Sequence, residues 1–305
     1  MKRTSAGLYM AFFCIASMLM HACKKNEPGN PSTPCFPLPV CDVQTLLISP
    51  INQHFPGGTY VTPYKFKKTY GADGRITYID ALLGPNWSTN PFKGPVRYAN
   101  KRVCMLNTSN DTIMVAELND CGQVIRARLN NVYPWSPDPD VYTQRFVYQY
   151  DYKGRLSRLW TYFSPSYAPD VCIYRYDEYD NVLNIQHAQD ITRYTAYKYN
   201  YQRPIKGGVY DQGIIQATGA YLLEMLGFYT TQPHHLLEEM TTTYEYPIGT
   251  SVYFDQVVAA DGYLQSYKVY PFGDTTVGIK GQMVWKCPGS GSPSTGGNVL
   301  TYPKY

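Results

Sequence analysis

The chain has 305 residues, of which 16% are charged and 44% hydrophobic, with 31 Tyr, 24 Gly and 23 Pro. Charge that far below the ~25% of an average soluble domain, combined with so many turn-forming and aromatic residues, excludes a helical bundle, a coiled coil and charge-driven disorder. A formal net charge of +4 leaves no nucleic-acid footprint, and the length is ample for a large all-β core.

Residues 1–22 read as an export leader. Lys2 and Arg3 supply the positive start, and Ala6 to Met20 is mostly apolar but shorter than the roughly 20 residues of a membrane span. The leader ends in Met20-His21-Ala22-Cys23, which resembles the lipobox of bacterial lipoproteins, a small residue before a cysteine that takes the lipid. The resemblance implies acylation of Cys23 and a membrane partner reached through that anchor, in the cell envelope at the outer membrane, with the periplasmic or surface face left open. Residues 23–43, rich in Pro, Asn, Ser and Gly, then form a tether.

Beyond the leader and Cys23, six cysteines remain: Cys35, Cys41, Cys104, Cys121, Cys172 and Cys287. Export permits disulfides, and Cys35 and Cys41, flanking Phe-Pro-Leu-Pro-Val, can close a small loop in the tether. Neither C-x-x-C nor H-E-x-x-H occurs, so no metal site and no cofactor is expected.

From residue 70 onward a turn recurs: an aromatic or aliphatic residue, Asp or Asn nearby, then Gly, one free residue and an aliphatic. It is read at Tyr70…Gly74…Ile76, Leu118…Gly122…Val124, Tyr150…Gly154…Leu156 and Val258…Gly262…Leu264. Tyr176…Asp180…Val182 carries Asp at the Gly position, and Tyr199…Arg203…Ile205 carries Arg, which predicts a distorted turn. Asp or Asn can bond its own backbone at the corner, and Gly accepts the positive φ that reverses the chain. Residues on either side alternate with period two, as strands do.

These residues, notably Tyr150-Asp151…Gly154-Arg155-Leu156 and Tyr176-Asp177…Asn181-Val182, resemble the YD-repeat (Rhs-type) proteins. The likeness is greater still to Bacteroidetes-type lipoproteins of unknown function that carry a few such hairpins and one helix. It spans about residues 60–285 and implies a winding antiparallel sheet; the chain is too short to enclose a toxin as large Rhs shells do. One stretch breaks the pattern. Asp211 as N-cap, apolar residues at helical spacing and Gly227 as the stop predict a helix over about 211–227, packed on the sheet. The expected fold is therefore one all-β domain over 44–287, a curved antiparallel meander of YD-like hairpins with one packed α-helix, followed by a flexible tail over 288–305.

The chemistry is thinner. His54, His187, His234 and His235 sit in no Ser- or Cys-centred motif, and Pro233-His234-His235-Leu236-Leu237-Glu238-Glu239 reads as a connector into a strand. The tyrosines at Tyr148, Tyr150, Tyr174, Tyr176, Tyr197 and Tyr199 read as core. In a meander the hairpin turns lie at one edge and the longer links at the other. Links 131–141 and 163–170 bring Tyr133, Trp135, Asp138 and Asp140, then Phe163 and Tyr167, to one rim as candidate ligand-binding residues; link 84–94 adds Trp87 and Phe92 as candidates, on a side that depends on whether 96–106 is a separate strand. No catalytic residue is assigned. The expected function is a non-enzymatic, lipid-anchored envelope binding or scaffold protein whose partner is a glycan or a protein. The alternative is a carbohydrate-active hydrolase drawing its acids from that rim.

Overall fold

A computed structural model describes residues 41–50, 64–82, 92–130, 143–163, 168–208, 218–228, 233–243, 249–270 and 278–287. The leader, Cys23, most of the tether and the tail lie outside these residues. Sixteen strands follow in chain order. The first eight are β1 (Asp42–Pro50), β2 (Tyr64–Tyr70), β3 (Ile76–Leu82), β4 (Phe92–Ala99), β5 (Arg102–Leu106), β6 (Thr112–Leu118), β7 (Val124–Leu129) and β8 (Gln144–Tyr150). The second eight are β9 (Leu156–Tyr162), β10 (Asp170–Tyr176), β11 (Val182–His187), β12 (Tyr194–Pro204), β13 (His235–Thr242), β14 (Gly249–Val258), β15 (Leu264–Tyr270) and β16 (Ile279–Lys286). A single described helix, α1 (Thr218–Met225), lies between β12 and β13.

Each strand pairs antiparallel with the next, as a meander requires, but the sheet is closed rather than open: β16 returns to pair with β1. An open sheet would expose two edges of unpaired N–H and C=O groups, and closure removes both. A disulfide between Cys41 and Cys287, 246 residues apart, sits where β1 begins and β16 ends. Cys41 is therefore not the partner of Cys35, contrary to the expectation from their spacing. Nothing local in the sequence encodes a bond between the first and last strands.

Six hairpins share one turn. In each, the first residue donates its N–H to the carbonyl four residues on and accepts the N–H three residues on. The turns start at Gly71, Asn107, Asn119, Asp151, Asp177 and Ala259. The residue at the fourth position has φ between 66° and 92° at Gly74, Asn110, Gly122, Gly154, Asp180 and Gly262. This is the type I turn with a following bulge, and strand register shifts beside every one of them. Asp151 Oδ1 accepts the N–H groups of Lys153 and Arg155, and Asp177 Oδ1 those of Tyr179 and Asn181. Asn107…Asn110 is a copy that the Gly-based pattern misses, because Asn there tolerates the left-handed region. The turn expected at Arg203 does not form; residues 200–204 continue β12, whose pairing with β13 slips between Asn200 and Pro204.

The Tyr that precedes each Asp has its own task. Tyr150 Oη donates to the carbonyl of Val124 (2.7 Å), Tyr176 to Leu156 (2.7 Å) and Tyr199 to Val182 (2.9 Å). Trp285 Nε1 does the same for Leu264 at 2.6 Å. In all four cases an aromatic clasps the first carbonyl of the strand before it, from near the end of its own strand in three and from the middle of β12 in Tyr199. Burial raises the Tyr150 hydroxyl far above its ordinary pKa, so it stays a donor.

Inward-facing side chains fill the barrel. Phe66, Ile79, Ala81, Val103, Met105, Met114, Ala116 and Leu129 are fully buried. Helix α1 crosses this interior near the turn end. Tyr148 Oη donates to the Gly219 carbonyl (2.8 Å), and a Cβ on Gly219 would stand 2.7 Å from the Phe146 ring. At the other end of α1, Gly227 has φ 71° and Phe228 N–H bonds the Leu223 carbonyl, which terminates the helix. Buried Lys68 donates to the Glu224 carbonyl (2.7 Å) and to Asp42 Oδ1 (2.8 Å), fixing α1 to β1 and β2.

The outer face carries many cations. Lys67, Arg97, Arg102, Arg126, Arg128, Arg145, Arg158, Arg175 and Lys198 are exposed on eight different strands. A lipid-facing band would charge about 2–4 kcal/mol for each such cation at the bilayer midplane.

Candidate functional site

Because strand direction alternates, the barrel has two rims. Five of the six shared turns, α1 and the disulfide occupy one; Leu82, Leu129 and Tyr162 end their strands at the other, which is the link rim. The segments expected to carry binding residues therefore leave from a common rim. Trp87, Tyr133, Trp135, Asp138, Asp140 and Tyr167 lie outside the described residues, and so does the side chain of Phe92 at the start of β4. Phe163, just past β9, is half exposed. Asp138 and Asp140, the acids a hydrolase would use, cannot be placed against each other.

Two groupings that the sequence reading missed lie near that rim. The first is on the outer face of β7, β8 and β9. Register sets Arg128 opposite Arg145, which faces Tyr162; Arg126 opposite Val147, which faces Trp160; and Gln149 opposite Arg158. Four guanidinium groups thus surround an aromatic and aliphatic centre, with neighbouring strands about 4.8 Å apart. Arg145 lies over the Tyr162 ring at 5.9 Å. Glu117 on β6 is shared between Arg126 (3.8 Å) and Arg102 (3.6 Å). Among the described residues no carboxylate pairs with Arg128, Arg145 or Arg158, whereas across the barrel Lys198 pairs with Glu239 and Lys268 with Asp255. Like charges placed directly opposite on adjacent strands cost stability, so Arg128 facing Arg145 favours an anion between them.

The second grouping is inside. Cys172 on β10 and His187 on β11 are paired in register, and both are buried. His187 Nδ1 lies 2.7 Å from Asp170 Oδ1, and its Nε2 lies 4.0 Å from Cys172 Sγ. Burial raises the Asp170 carboxyl, but the hydrogen bond and charge of His187, with Arg193 and the Val171 N–H, outweigh it and hold the group below its usual range. Asp170, Cys172 and His187 are the three described residues whose donor atoms approach closely enough to hold a metal ion.

The His234-His235 pair has a structural role. His235, at the start of β13, packs between Tyr179 (5.1 Å) and Tyr201 (5.2 Å) and its Nδ1 meets the Asn181 amide at 3.0 Å. Neither grouping near the rim could be read from spacing. The arginines are scattered over residues 126–158, and Cys172 and His187 are separated by a whole hairpin, so register alone brings them together.

No protein-family model matches the chain, and no curated protein matches it. Among solved structures it resembles a porin-like protein from Bacteroides uniformis: 12% identity, TM-score 0.52, covering 80% of this chain and 98% of that one. This shows a shared fold. A porin-like protein from Bacteroides vulgatus (13% identity, TM-score 0.45, 79% and 97% covered) and a TcdB2-TccC3-Cdc42 structure (14%, TM-score 0.28, 80% and 11%) superpose too loosely to carry an argument.

Proposed function

We propose that this chain is a lipid-anchored binding protein of the cell envelope that captures acidic glycans on the outer face of β7, β8 and β9. The observation that carries the reading is the group of Arg128, Arg145 and Arg158 around Trp160 and Tyr162, with which no carboxylate among the described residues pairs. Guanidinium groups take carboxylates or sulfates through two parallel hydrogen bonds, and an aromatic face stacks on the C–H side of a sugar ring. The exposed cations of the outer face and the buried apolar interior support a barrel standing in solvent beside a membrane, held by an acyl chain on Cys23, rather than one that conducts through the bilayer. The leader and the Tyr-Asp hairpins support the likeness to YD-repeat lipoproteins.

The test measures binding of the mature chain to uronate- or sulfate-bearing glycans beside neutral glycans of the same backbone. Retention of the acidic glycans, lost at least tenfold in the Arg128→Glu, Arg145→Glu double variant and weakened by Trp160→Ala, is the expected result. Equal binding of neutral glycans, or equal binding of any polyanion irrespective of Trp160, overturns it. Mass measurement of the mature amino terminus checks the acyl group on Cys23.

A further inference from the structure

We infer that Cys172 and His187 form a binding site for a soft, thiophilic metal ion, zinc or copper(I), with Asp170 as the group that orients the imidazole. It lies inside the barrel, away from the arginine face, and does not depend on the glycan reading.

The argument begins with the tautomer. A carboxylate 2.7 Å from His187 Nδ1 accepts a hydrogen bond from Nδ1–H, which places the Nε2 lone pair toward the Cys172 thiol. This is the carboxylate–histidine arrangement that fixes metal-ligating imidazoles. The separation of 4.0 Å between Sγ and Nε2 is long for a hydrogen bond. Metal bonds of about 2.3 Å to sulfur and about 2.0 Å to nitrogen hold those atoms about 3.5 Å apart at a tetrahedral angle and about 4.3 Å apart when collinear. The gap falls between those limits, so one ion spans it at an angle wider than tetrahedral.

Tyr174, two residues along β10 on the same inward face as Cys172, adds a buried hydroxyl that the described residues leave without a hydrogen-bond partner, so a further polar atom lies on that face. A bound ion would also supply the positive charge that a deprotonated Cys172 beside Asp170 requires in low dielectric. Thiolate with imidazole selects zinc and copper(I) over the hard cations magnesium and calcium. Catalysis by the thiol is the weaker use of the same residues, because Cys172 is only 4% exposed and buried thiols react poorly.

The experiment uses the mature full-length chain with its disulfides intact and Cys104 and Cys172 kept as thiols under anaerobic conditions. Native mass spectrometry counts bound metal after incubation with zinc or with copper(I) supplied from a weak competing chelator. Cobalt(II) reports sulfur ligation through a thiolate-to-metal charge-transfer band. One ion per chain and a cobalt band are expected, with both lost in Cys172→Ser and in His187→Gln and both kept in Cys104→Ser. Asp170→Asn should weaken binding about 10–100-fold without removing it. Unfolding midpoints of the variants separate lost binding from lost folding, and Cys172→Ala provides a second deletion of the ligand. Retention of zinc alone or copper alone assigns the ion. Absence of both metals and of the cobalt band in the folded wild-type chain overturns the inference, as does a band that survives loss of Cys172.

Discussion

The two rims of the barrel are built on opposite plans. The turn rim is tied at many points: five short bulged turns, the aromatic clasps, the Cys41–Cys287 disulfide and the anchorage of α1 by Lys68 all lie there. Apart from the connection that carries α1, the longer connections leave from the link rim, and near it lie both Arg128 and Arg145, which no described carboxylate pairs, and the Asp170–His187 pair. One end therefore holds the strands in register, which leaves the other end free to carry side chains whose arrangement serves something besides stability.

If that division is right, damage at the turn rim should cost stability, and damage at the link rim should not. The largest effect is expected from Cys41→Ser with Cys287→Ser. Opening so long a loop should lower the unfolding free energy by about 5 kcal/mol in the chain-entropy picture, measured by urea denaturation. Lys68→Met should follow, at about 3–4 kcal/mol, because it strips Asp42 of its cation and the end of α1 of its donor. Tyr150→Phe leaves the Val124 carbonyl without its clasp and should cost about 1–2 kcal/mol, with faster amide exchange at the turn rim. Arg128→Gln, by contrast, should hold or raise stability, by at most about 1 kcal/mol, since it relieves repulsion from Arg145. A loss of several kcal/mol there would erase the distinction between the rims.

The smallest effect concerns acid. Burial raises the Asp180 carboxyl, but hydrogen bonds and charge from Lys153 and Arg155 outweigh it and hold it below its ordinary value. A depressed folded-state pKa contributes stability above the unfolded value of about 3.9, and that contribution is lost as pH falls through the folded value. Asp180→Asn keeps a residue that tolerates positive φ, so it should flatten the loss of stability below about pH 4 while leaving the turn intact. An unchanged acid profile would mean that the pair with Arg155 contributes nothing at the turn rim.

Much of the turn rim was legible in advance. Asp151 and Asp177 announce side-chain-capped corners, and Gly154 supplies the positive φ that local sterics require. Period-two alternation around Phe146 and Tyr148 places those rings on the inner face. The misses were also local in origin: Arg203 stays within β12, where the pairing with β13 slips and resumes at Pro204, and Asn110 does what the pattern reserved for Gly. The arginine face and the thiol–imidazole pair were not legible, since each depends on which residues stand opposite one another across strands.

The sequence by itself determined the kind of structure: antiparallel strands, bulged corners, and an aromatic at the end of a strand in place to clasp its neighbour. These follow from φ preferences and side-chain alternation within a dozen residues, which any short window reports. Tertiary structure alone decided that the sheet closes, that Cys41 meets Cys287, that α1 runs through the interior and that Arg128 confronts Arg145. Each of these is a contact between residues distant along the chain, and its free energy comes from register and burial, which no local pattern contains.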